Sequence, residues 1–301
     1  MPESGARLLL GGPIAEEIRT AVAESIAAFS ERTGRVPTLG IVIAGRDAPS
    51  MVYLQQILKS CDMVGIGRRA IELGGEVTEQ SVRDAIEEFN ADPTVAGIIV
   101  QMPLPPNIRL RAIVEAIDPA KDIDGIHPLN AGLLRLGYDG FLPATPHAAV
   151  ELLRRYGIEI EGKNAVVVGR STVVGMPAAF LLVREDATVT VCHSRTTDLV
   201  SHIKAADIVV VAAGKPGLVT GDMLKPGAVV IDIGINVVDG RLVGDVDFES
   251  ASRVASAITP VPGGVGPLTN AMLLSHLVRA AEAQVAAQAQ SVPQPVTRGT
   301  A

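Results

Sequence analysis

The sequence has no tryptophan, only two cysteines and few aromatic residues, with three Tyr and five Phe among 301 residues. Cys61 and Cys192 cannot build a disulfide scaffold, and they do not form a CxxC pair of the kind that binds structural zinc. None of the five histidines stands in an HxxxH pair. We therefore predict neither disulfides nor a metal site.

Positive charge is also scarce, because 26 Lys plus Arg face 33 Asp plus Glu and leave a net charge of −7. This balance disfavours a large nucleic-acid footprint and attachment to anionic lipid. No segment offers about 18 uninterrupted apolar residues, and the opening "MPESGARLLLGGPIAEEI" lacks a basic leader or a cleavage-site pattern. We expect a soluble, cytoplasmic protein with no nucleic-acid or membrane partner.

Helical and strand-like apolar segments alternate along the chain. Apolar residues from Ile14 to Phe29 recur at helical spacing and predict a first helix that ends near Gly34. The apolar runs "PTLGIVIAG" and "VAGIIVQ" alternate with helical segments, and a second series, "NAVVVG", "ATVTVC", "DIVVVAAG" and "AVVIDIG", follows after Pro146. This rhythm predicts an α/β fold whose parallel sheets are covered on both faces.

The change from the first series to the second suggests two domains. We place the boundary near residues 140–148 and expect residues 1–145 to form one domain and residues 146–265 another. An Ala- and Leu-rich helix at 266–287 is expected to return and complete the first domain. Residues 288–301 carry Gln, Pro, Ser and Thr without apolar periodicity, which predicts a flexible tail.

A glycine-bearing turn joins the first strand of the second series to a helix. In "NAVVVGRSTVVGMP", Gly169 closes the strand and Gly175 opens the helix, so the main chain can approach a pyrophosphate, which free amides and the helix dipole favour. Arg170 and Ser171 stand inside the turn as further cofactor-binding candidates. The spacing GxxxxxG departs from the dinucleotide fingerprint GxGxxG, so a tight turn without a ligand is the alternative.

The end of the next strand indicates which dinucleotide would bind. An NAD-specific site usually has Asp or Glu there, but "TVTVCHSRT" ends without an acidic residue. Arg170, Ser194 and Arg195 can instead hold the 2′-phosphate of NADP, because guanidinium and hydroxyl donors satisfy phosphate oxygens. A solvated arginine loop is the alternative. The glycines of "VVAAGKPG" and "DIGIN" predict close contact between backbone and dinucleotide at Gly214 and beside Ile235.

Six segments of the chain form an ordered set of motifs. They are "GIIVQMPLPP", "KDIDGIHPLNAG", "VVVGRSTVVGMP", "DIVVVAAGKPG", "VVIDIGIN" and "ITPVPGGVGPLT". In this order they resemble the motifs of the methylenetetrahydrofolate dehydrogenase/methenyltetrahydrofolate cyclohydrolase family, over about residues 8 to 285. The resemblance implies an N-terminal catalytic domain and a C-terminal Rossmann-type NADP-binding domain around a cleft that binds tetrahydrofolate derivatives, usually in a homodimer.

The resemblance also implies a folate site. The family places there a tyrosine, a lysine four residues later, a glutamine after the "GIIV" strand and the second aspartate of "KDIDG". The corresponding residues are Tyr53, Ile57, Gln101 and Asp124, so three match and the lysine is lost. A carboxylate at Asp124 can accept two parallel hydrogen bonds from a pterin edge, Tyr53 can stack on the ring system, and Gln101 can orient an amine or water. Purely structural roles are the alternative.

Two further segments resemble parts of the family's cleft. Pro262, Gly263 and Gly264 belong to "PVPGGVGP", which has too many helix and strand breakers for a core element and resembles the loop beside nicotinamide and substrate. Thr145 of "LPATPHAA" resembles a family residue near the nicotinamide, although this segment departs from the family pattern PCTPxG at two alanines.

Ile57 changes the expected chemistry. The resemblance assigns the family lysine to proton handling in the cyclohydrolase step, and an aliphatic side chain has no proton to give or take. Lys59 lies about 200° around the helix from Ile57 and is expected to face elsewhere. Oxidation of 5,10-methylenetetrahydrofolate needs no proton removed, whereas hydrolysis of the methenyl cation to 10-formyltetrahydrofolate needs a proton carrier worth roughly 10²- to 10⁴-fold in rate. We predict an NADP-dependent dehydrogenase with weak or lost cyclohydrolase activity.

Three alternatives remain open at this point. The chain could be fully bifunctional with another base, or a non-catalytic folate- and NADP-binding paralogue, or an unrelated dehydrogenase on the same fold. The lost lysine supports the non-catalytic paralogue, and the retained cofactor motifs argue against it. Asp124 argues against an unrelated substrate, because a pterin-reading carboxylate would have no obvious use there.

Overall fold

Two parallel β-sheets with helices around them, and one two-stranded antiparallel hairpin, form the described part of the chain. The structure, a computed structural model, describes residues 5–45 and 48–291, with side chains for residues 5–45 and 54–289. The first elements are β1 (Arg7–Leu8), α1 (Gly11–Thr33), β2 (Thr38–Ile43), α2 (Ala48–Val64), β3 (Gly67–Glu72), α3 (Glu79–Ala91), β4 (Val95–Val100), α4 (Leu110–Val114), α5 (Pro128–Leu136) and α6 (Ala144–Arg155). Then come β5 (Asn164–Val168), α7 (Gly175–Arg184), β6 (Thr188–Cys192), α8 (Leu199–Lys204), β7 (Ile208–Val211), a 3-10 turn (Gly221–Met223), β8 (Val229–Asp232), β9 (Asn236–Val238), β10 (Arg241–Val243), α9 (Phe248–Ala251), β11 (Ala257–Ile258) and α10 (Val265–Ser291).

The first sheet has three parallel strands in the order β3-β2-β4. β4 is buried along its whole length, as its uninterrupted apolar sequence requires. The predicted first helix is confirmed as α1, which buries its apolar stripe and ends where Gly34 adopts the left-handed conformation at φ 67°. The carboxyl ends of β2 and β4 meet at one edge, where α2 and Gln101 follow.

The second sheet has six strands in the order β1-β11-β8-β7-β5-β6, and every pairing in it is parallel. The four strands predicted for the second series are confirmed as β5 to β8. The chain runs outward from β5 on one side to β6 and on the other to β7, so the strand order reverses at β5. A crevice at the carboxyl ends of the strands is the usual ligand position at such a reversal.

The long helix α10 ties the two sheets together. It packs against α1, α6 and β4, and its buried residues share one apolar cluster with side chains of both units. It ends at Ser291, four residues beyond the predicted end at 287. The remainder of the predicted tail, residues 292–301, lies outside the described residues.

Two classes of feature are absent from the described residues. None of the helices there is both long enough and apolar enough to cross a membrane. Among residues 5–45 and 54–289, whose side chains the structure describes, no group of three or more His, Cys, Asp or Glu is arranged to hold a metal ion.

Candidate active site

A cavity of about 410 Å³ opens between the two sheets, within the usual size range for a small-molecule site. Its lining comes from α2, from the turn between α4 and α5, from the starts of α6 and α10, from β10, and from the end of β8 and the loops that follow β8 and β11. The lining residues are Gln56, Asp124, Thr145, residues 232–235, Leu242, residues 260–267 and Thr269. The structure thus brings together the predicted residues Asp124, Thr145, Ile235, Pro262, Gly263 and Gly264.

The charge of this cleft cavity is one-sided. Two carboxylates, Asp124 and Asp232, line it, and the lining formed by the described residues includes no Lys, Arg or His. Asp232 is committed to the fold, since its carboxylate accepts the backbone N–H groups of Gly234, Asp245 and Val246 at 2.9 to 3.0 Å. Asp124 is therefore the carboxylate in the cavity that remains open to a ligand.

The tight turn that carries Asp124 is built by its neighbour Asp122. The buried carboxylate of Asp122 accepts the backbone N–H groups of Ile126 at 3.1 Å and His127 at 2.8 Å. It also accepts the Asn130 amide at 2.8 Å. These bonds fix the backbone on both sides of Asp124 and hold its carboxyl group at the cavity wall.

The electrostatic surroundings of Asp124 favour its protonated form. Burial raises the pKa of this carboxyl group to about 7, the charge of Asp122 acts in the same direction, and a backbone hydrogen bond from Ala144 opposes them. Although part of the residue faces the cavity, its carboxyl group is poorly solvated. The cleft therefore holds one carboxyl group that changes its charge near neutral pH.

A stacked pair of histidines contacts the backbone of the turn that carries Asp124. The rings of His147 and His276 lie 5.3 Å apart and nearly parallel, and His147 Nδ1 is 3.1 Å from His276 Nε2. His276 Nδ1 lies 2.8 Å from the Ile123 carbonyl, which must accept the bond. Burial lowers the pKa of each histidine to about 4, so both are neutral at physiological pH. The pair anchors the backbone next to Asp124.

The loop 260–264 is held against the start of the chain. Gly11 donates its backbone N–H to the Gly263 carbonyl at 3.0 Å, and Gly264 donates to the Pro260 carbonyl at 2.8 Å. A Cβ atom at Gly11 would stand 2.0 Å from the Gly264 carbonyl oxygen, so the approach of the two segments depends on glycine. This packing presents the loop that contains Pro262 to the cavity.

Two other predicted folate-site residues, Ile57 and Gln101, are not among the described residues that line this cavity. Ile57 is 1% exposed and packs in the apolar core. Gln101 is buried at the end of β4, and its side-chain amide donates to the Met102 carbonyl at 3.1 Å. The side chain of Tyr53 lies outside the described residues, so only its position on α2 is known. Lys59 is exposed on α2, away from the buried face that holds Ile57.

A second cavity, of about 480 Å³, lies at the carboxyl ends of β5, β6 and β7. It occupies the point where the strand order reverses. Its lining residues are Val168, Gly169, Arg170, Ser171, His193, Ser194, Thr196, Leu199, Ala212, Ala213, Lys215 and Leu218. The predicted residues Gly169, Arg170, Ser171 and Ser194 therefore line the same cavity.

Glycine is required in the turn between β5 and α7, which lines this second cavity. Gly169 has φ 125°, and a Cβ atom there would stand 2.0 Å from the Ala212 carbonyl oxygen. A Cβ atom at Gly175 would stand 2.3 Å from the Gly169 carbonyl oxygen. The Ser171 hydroxyl accepts the backbone N–H groups of Val174 and Gly175, each at 3.2 Å. Ser171 therefore closes the turn, and the two glycines let the strand and helix come together.

The second cavity suits a phosphorylated dinucleotide. Arg170 and Lys215 provide positive charge, the Ser194 hydroxyl is a further donor, and no carboxylate is among the described lining residues. Arg195 stands next to this lining without belonging to it, and its backbone N–H donates to His193. Gly214 also lies outside the lining, and its backbone N–H donates to Asp245 at 2.8 Å.

Models of the two domains of one protein family match the chain. The tetrahydrofolate dehydrogenase/cyclohydrolase catalytic domain matches residues 9–124, and the NAD(P)-binding domain of the same family matches residues 143–285. The chain belongs to this family. The resemblance drawn from the six motifs is thereby confirmed, together with the α/β class of both parts and the NAD(P)-binding character of the second.

Individual members of the tetrahydrofolate dehydrogenase/cyclohydrolase family resemble the chain over nearly its whole length. The bifunctional protein FolD of a Roseiflexus species is 49% identical, covering 94% of this chain and 99% of that protein. The crystal structure of FolD from Campylobacter jejuni has a TM-score of 0.90 at 41% identity, covering 92% of this chain and 99% of that one. The Trypanosoma brucei enzyme, solved with NADP and an inhibitor, has a TM-score of 0.90 at 40% identity, covering 95% and 99%.

Sequence reasoning missed several residues that line the two cavities of this family member. Gln56 and Leu242 line the cleft cavity, and His193 and Lys215 line the second one. His193 follows β6 and Lys215 follows β7, the two parallel strands on either side of β5, so a known strand order would have predicted their convergence. Leu242 lies on the β9–β10 hairpin, and the Asp-Gly turn at 239–240 between two apolar pairs was a sequence signal that could have identified it.

Proposed function

We propose that the chain oxidises 5,10-methylenetetrahydrofolate to 5,10-methenyltetrahydrofolate with NADP, and that its cyclohydrolase activity is weak or absent. The observation that carries the proposal is the lining of the cleft cavity. It joins a carboxylate suited to a pterin edge, Asp124, to the glycine-rich loop, without a cationic side chain among the described residues. Family membership supports a reduced folate as the substrate.

The second cavity supports NADP as the redox partner. Arg170, Lys215 and Ser194 would hold the 2′-phosphate, and the turn at Gly169 would hold the pyrophosphate. When bound, NADP supplies the hydride acceptor, giving NADPH and the methenyl cation. Ile235 is 64% exposed at the cleft cavity, which supports an apolar contact to a bound ring.

The side chains of the cleft suit oxidation better than hydrolysis. Oxidation removes a hydride and requires orientation, which the fixed turn at Asp124 and the loop at Pro262 provide. The ionised carboxyl group of Asp124 would also favour the positive charge that develops on the product. Hydrolysis requires a group that takes a proton from water and gives one to nitrogen, and Ile57 is aliphatic and buried.

One observation favours a second candidate function, the fully bifunctional enzyme. Asp124 has its pKa raised to about 7, which is the range in which a carboxyl group works best as a general acid or base. If Asp124 carried protons, it would have to release its hold on the pterin edge or reach the reacting carbon through water. We therefore rank this function second.

The two functions are separated by assaying each step alone. Purified chain is given methylenetetrahydrofolate with NADP, and NADPH and methenyl product are followed by absorbance. In a second assay methenyltetrahydrofolate is supplied and its loss is compared with a protein-free control in the same buffer. We expect turnover in the first assay and only the uncatalysed rate in the second. Hydrolysis well above the control, changing with an apparent pKa near 7, would establish Asp124 as proton carrier instead.

A further inference from the structure

The buried face of α2 is a regular apolar seam. Leu54, Ile57, Cys61 and Val64 follow one another at intervals of three, four and three residues, and each is at most 5% exposed. This spacing places them on one side of the helix, facing the core. Ile57 therefore has a packing role that fully accounts for its side chain.

The neighbouring residue faces the cleft. Successive helical residues are turned by about 100°, so Gln56 flanks the seam while remaining exposed. Gln56 lines the cleft cavity, and no other side chain described on α2 does so. Gln55, also exposed and chemically identical, is turned by about another 100° and is not among the lining residues.

The amide of Gln56 is available to a ligand. It forms no hydrogen bond with any described residue, whereas Asp232 in the same lining is held by three backbone amides and Thr269 donates to the Val265 carbonyl at 3.3 Å. A primary amide offers two donors and one acceptor, but no proton that titrates. It can orient a bound heterocycle or amide without catalysing proton transfer.

We propose that Gln56 is a substrate-contacting residue of α2, and that its side-chain amide hydrogen-bonds the reduced folate in the cleft cavity that the 260–267 loop also lines. This inference rests on the proposed function and names a contact that family membership does not assign. Because the amide is not altered during the reaction, it binds substrate and transition state alike. Its loss raises KM and leaves kcat nearly unchanged.

The test uses matched substitutions on adjacent glutamines of the full chain. Gln56→Ala removes the side chain, Gln56→Met keeps its length without the amide, and Gln55→Ala is the control. With NADP saturating, both Gln56 variants should raise KM for methylenetetrahydrofolate about 3- to 10-fold, with KM for NADP unchanged. Gln55→Ala should match the parent. Parent-like KM in both Gln56 variants would overturn the proposal, and so would an equal rise in Gln55→Ala.

A direct titration with tetrahydrofolate separates this inference from the proposed function. If the parent binds tetrahydrofolate but forms no NADPH, the proposed function fails, and the Kd of the Gln56 variants still decides the contact. A 3- to 10-fold weaker Kd would support it, and an unchanged Kd would contradict it. A parent that neither turns over nor binds tetrahydrofolate overturns both.

Discussion

Asp124→Asn should make the ligand-free protein more stable above neutral pH while removing its activity. Folding raises the pKa of this carboxyl group from 3.8 to about 7, a change of about three pH units. Each unit corresponds to about 1.4 kcal/mol, so keeping Asp124 ionised in the folded state costs at most about 4 kcal/mol. Because the residue keeps some contact with the solvent-filled cavity, we expect about 2 kcal/mol.

The sign of this effect follows from proton linkage. An acid whose folded pKa lies above its unfolded pKa binds more protons in the native state, so stability is lost as pH rises between the two values. For Asp124 the loss begins near pH 4 and is complete above pH 7. Asp232, whose pKa burial raises to about 6, acts in the same direction and is unchanged in the variant.

Urea unfolding of parent and Asp124→Asn at several pH values between 4 and 8.5 measures the effect. The free energy of unfolding should differ little at the acid end, and the variant should be about 2 kcal/mol more stable at the alkaline end. NADPH formation from methylenetetrahydrofolate should fall to background. A stability difference that does not grow with pH would refute the desolvated position of this carboxyl group.

Asp122→Asn is the matched control, and its expected effect has the opposite sign. Burial also raises the pKa of Asp122, but three donors, from Ile126, His127 and Asn130, converge on its carboxylate. An amide group at this position would turn its own N–H donors toward one of them. We expect a loss of about 1–3 kcal/mol throughout the pH range.

Three other substitutions test the roles proposed for Ile57, Gly169 and Arg170. Ile57→Lys should raise methenyltetrahydrofolate hydrolysis above the parent rate. It should also lower the free energy of unfolding by roughly 2–5 kcal/mol, because it places a charged group in the apolar seam. A folded, dehydrogenase-active variant that hydrolyses no faster than the parent would contradict the role of the lost lysine. Gly169→Ala should abolish NADP binding measured by titration, because its Cβ would meet the Ala212 carbonyl at 2.0 Å. Arg170→Ala should raise KM for NADP about 10- to 100-fold and leave KM for NAD unchanged, and equal losses with both cofactors would argue against a 2′-phosphate contact.

The elements that sequence predicted best are those whose environment is uniform along their length. The strands β5, β7 and β8 have apolar runs and are almost wholly buried, because helices cover both faces of the sheet, and α1 has one apolar stripe that ends at Gly34. The strand β3, "GRRAIE", was not predicted, because it lies at the edge of its sheet and most of its side chains are exposed. β1 and β11 are two residues each, too short for any period to be visible.

Site residues were predictable where a motif fixes the backbone and less so where packing decides. Asp124 and Gly169 belong to turns whose sequence is constrained, and both line cavities. Gln56 stands within helical sequence that has no Gly, Pro or motif to mark it, whereas Ile57 occupies the position where the resemblance places a lysine. Which of the two faces the cleft depends on how α2 rotates against the core, and that rotation is set by the contacts of Leu54 and Cys61 in the cluster shared with α10.

The charge of the cleft and the loss of the lysine both affect how well a cationic product is stabilised. The product of the oxidation is a cation, and the described lining offers it Asp124 and Asp232 without a competing cation. In surroundings of effective dielectric constant near 20, an ammonium group about 5 Å from that cation would cost about 3 kcal/mol. Its replacement by Ile57 removes this cost from the oxidation. The same stabilisation would make the methenyl carbon less reactive toward water, so we expect the cleft to favour the first step over the second.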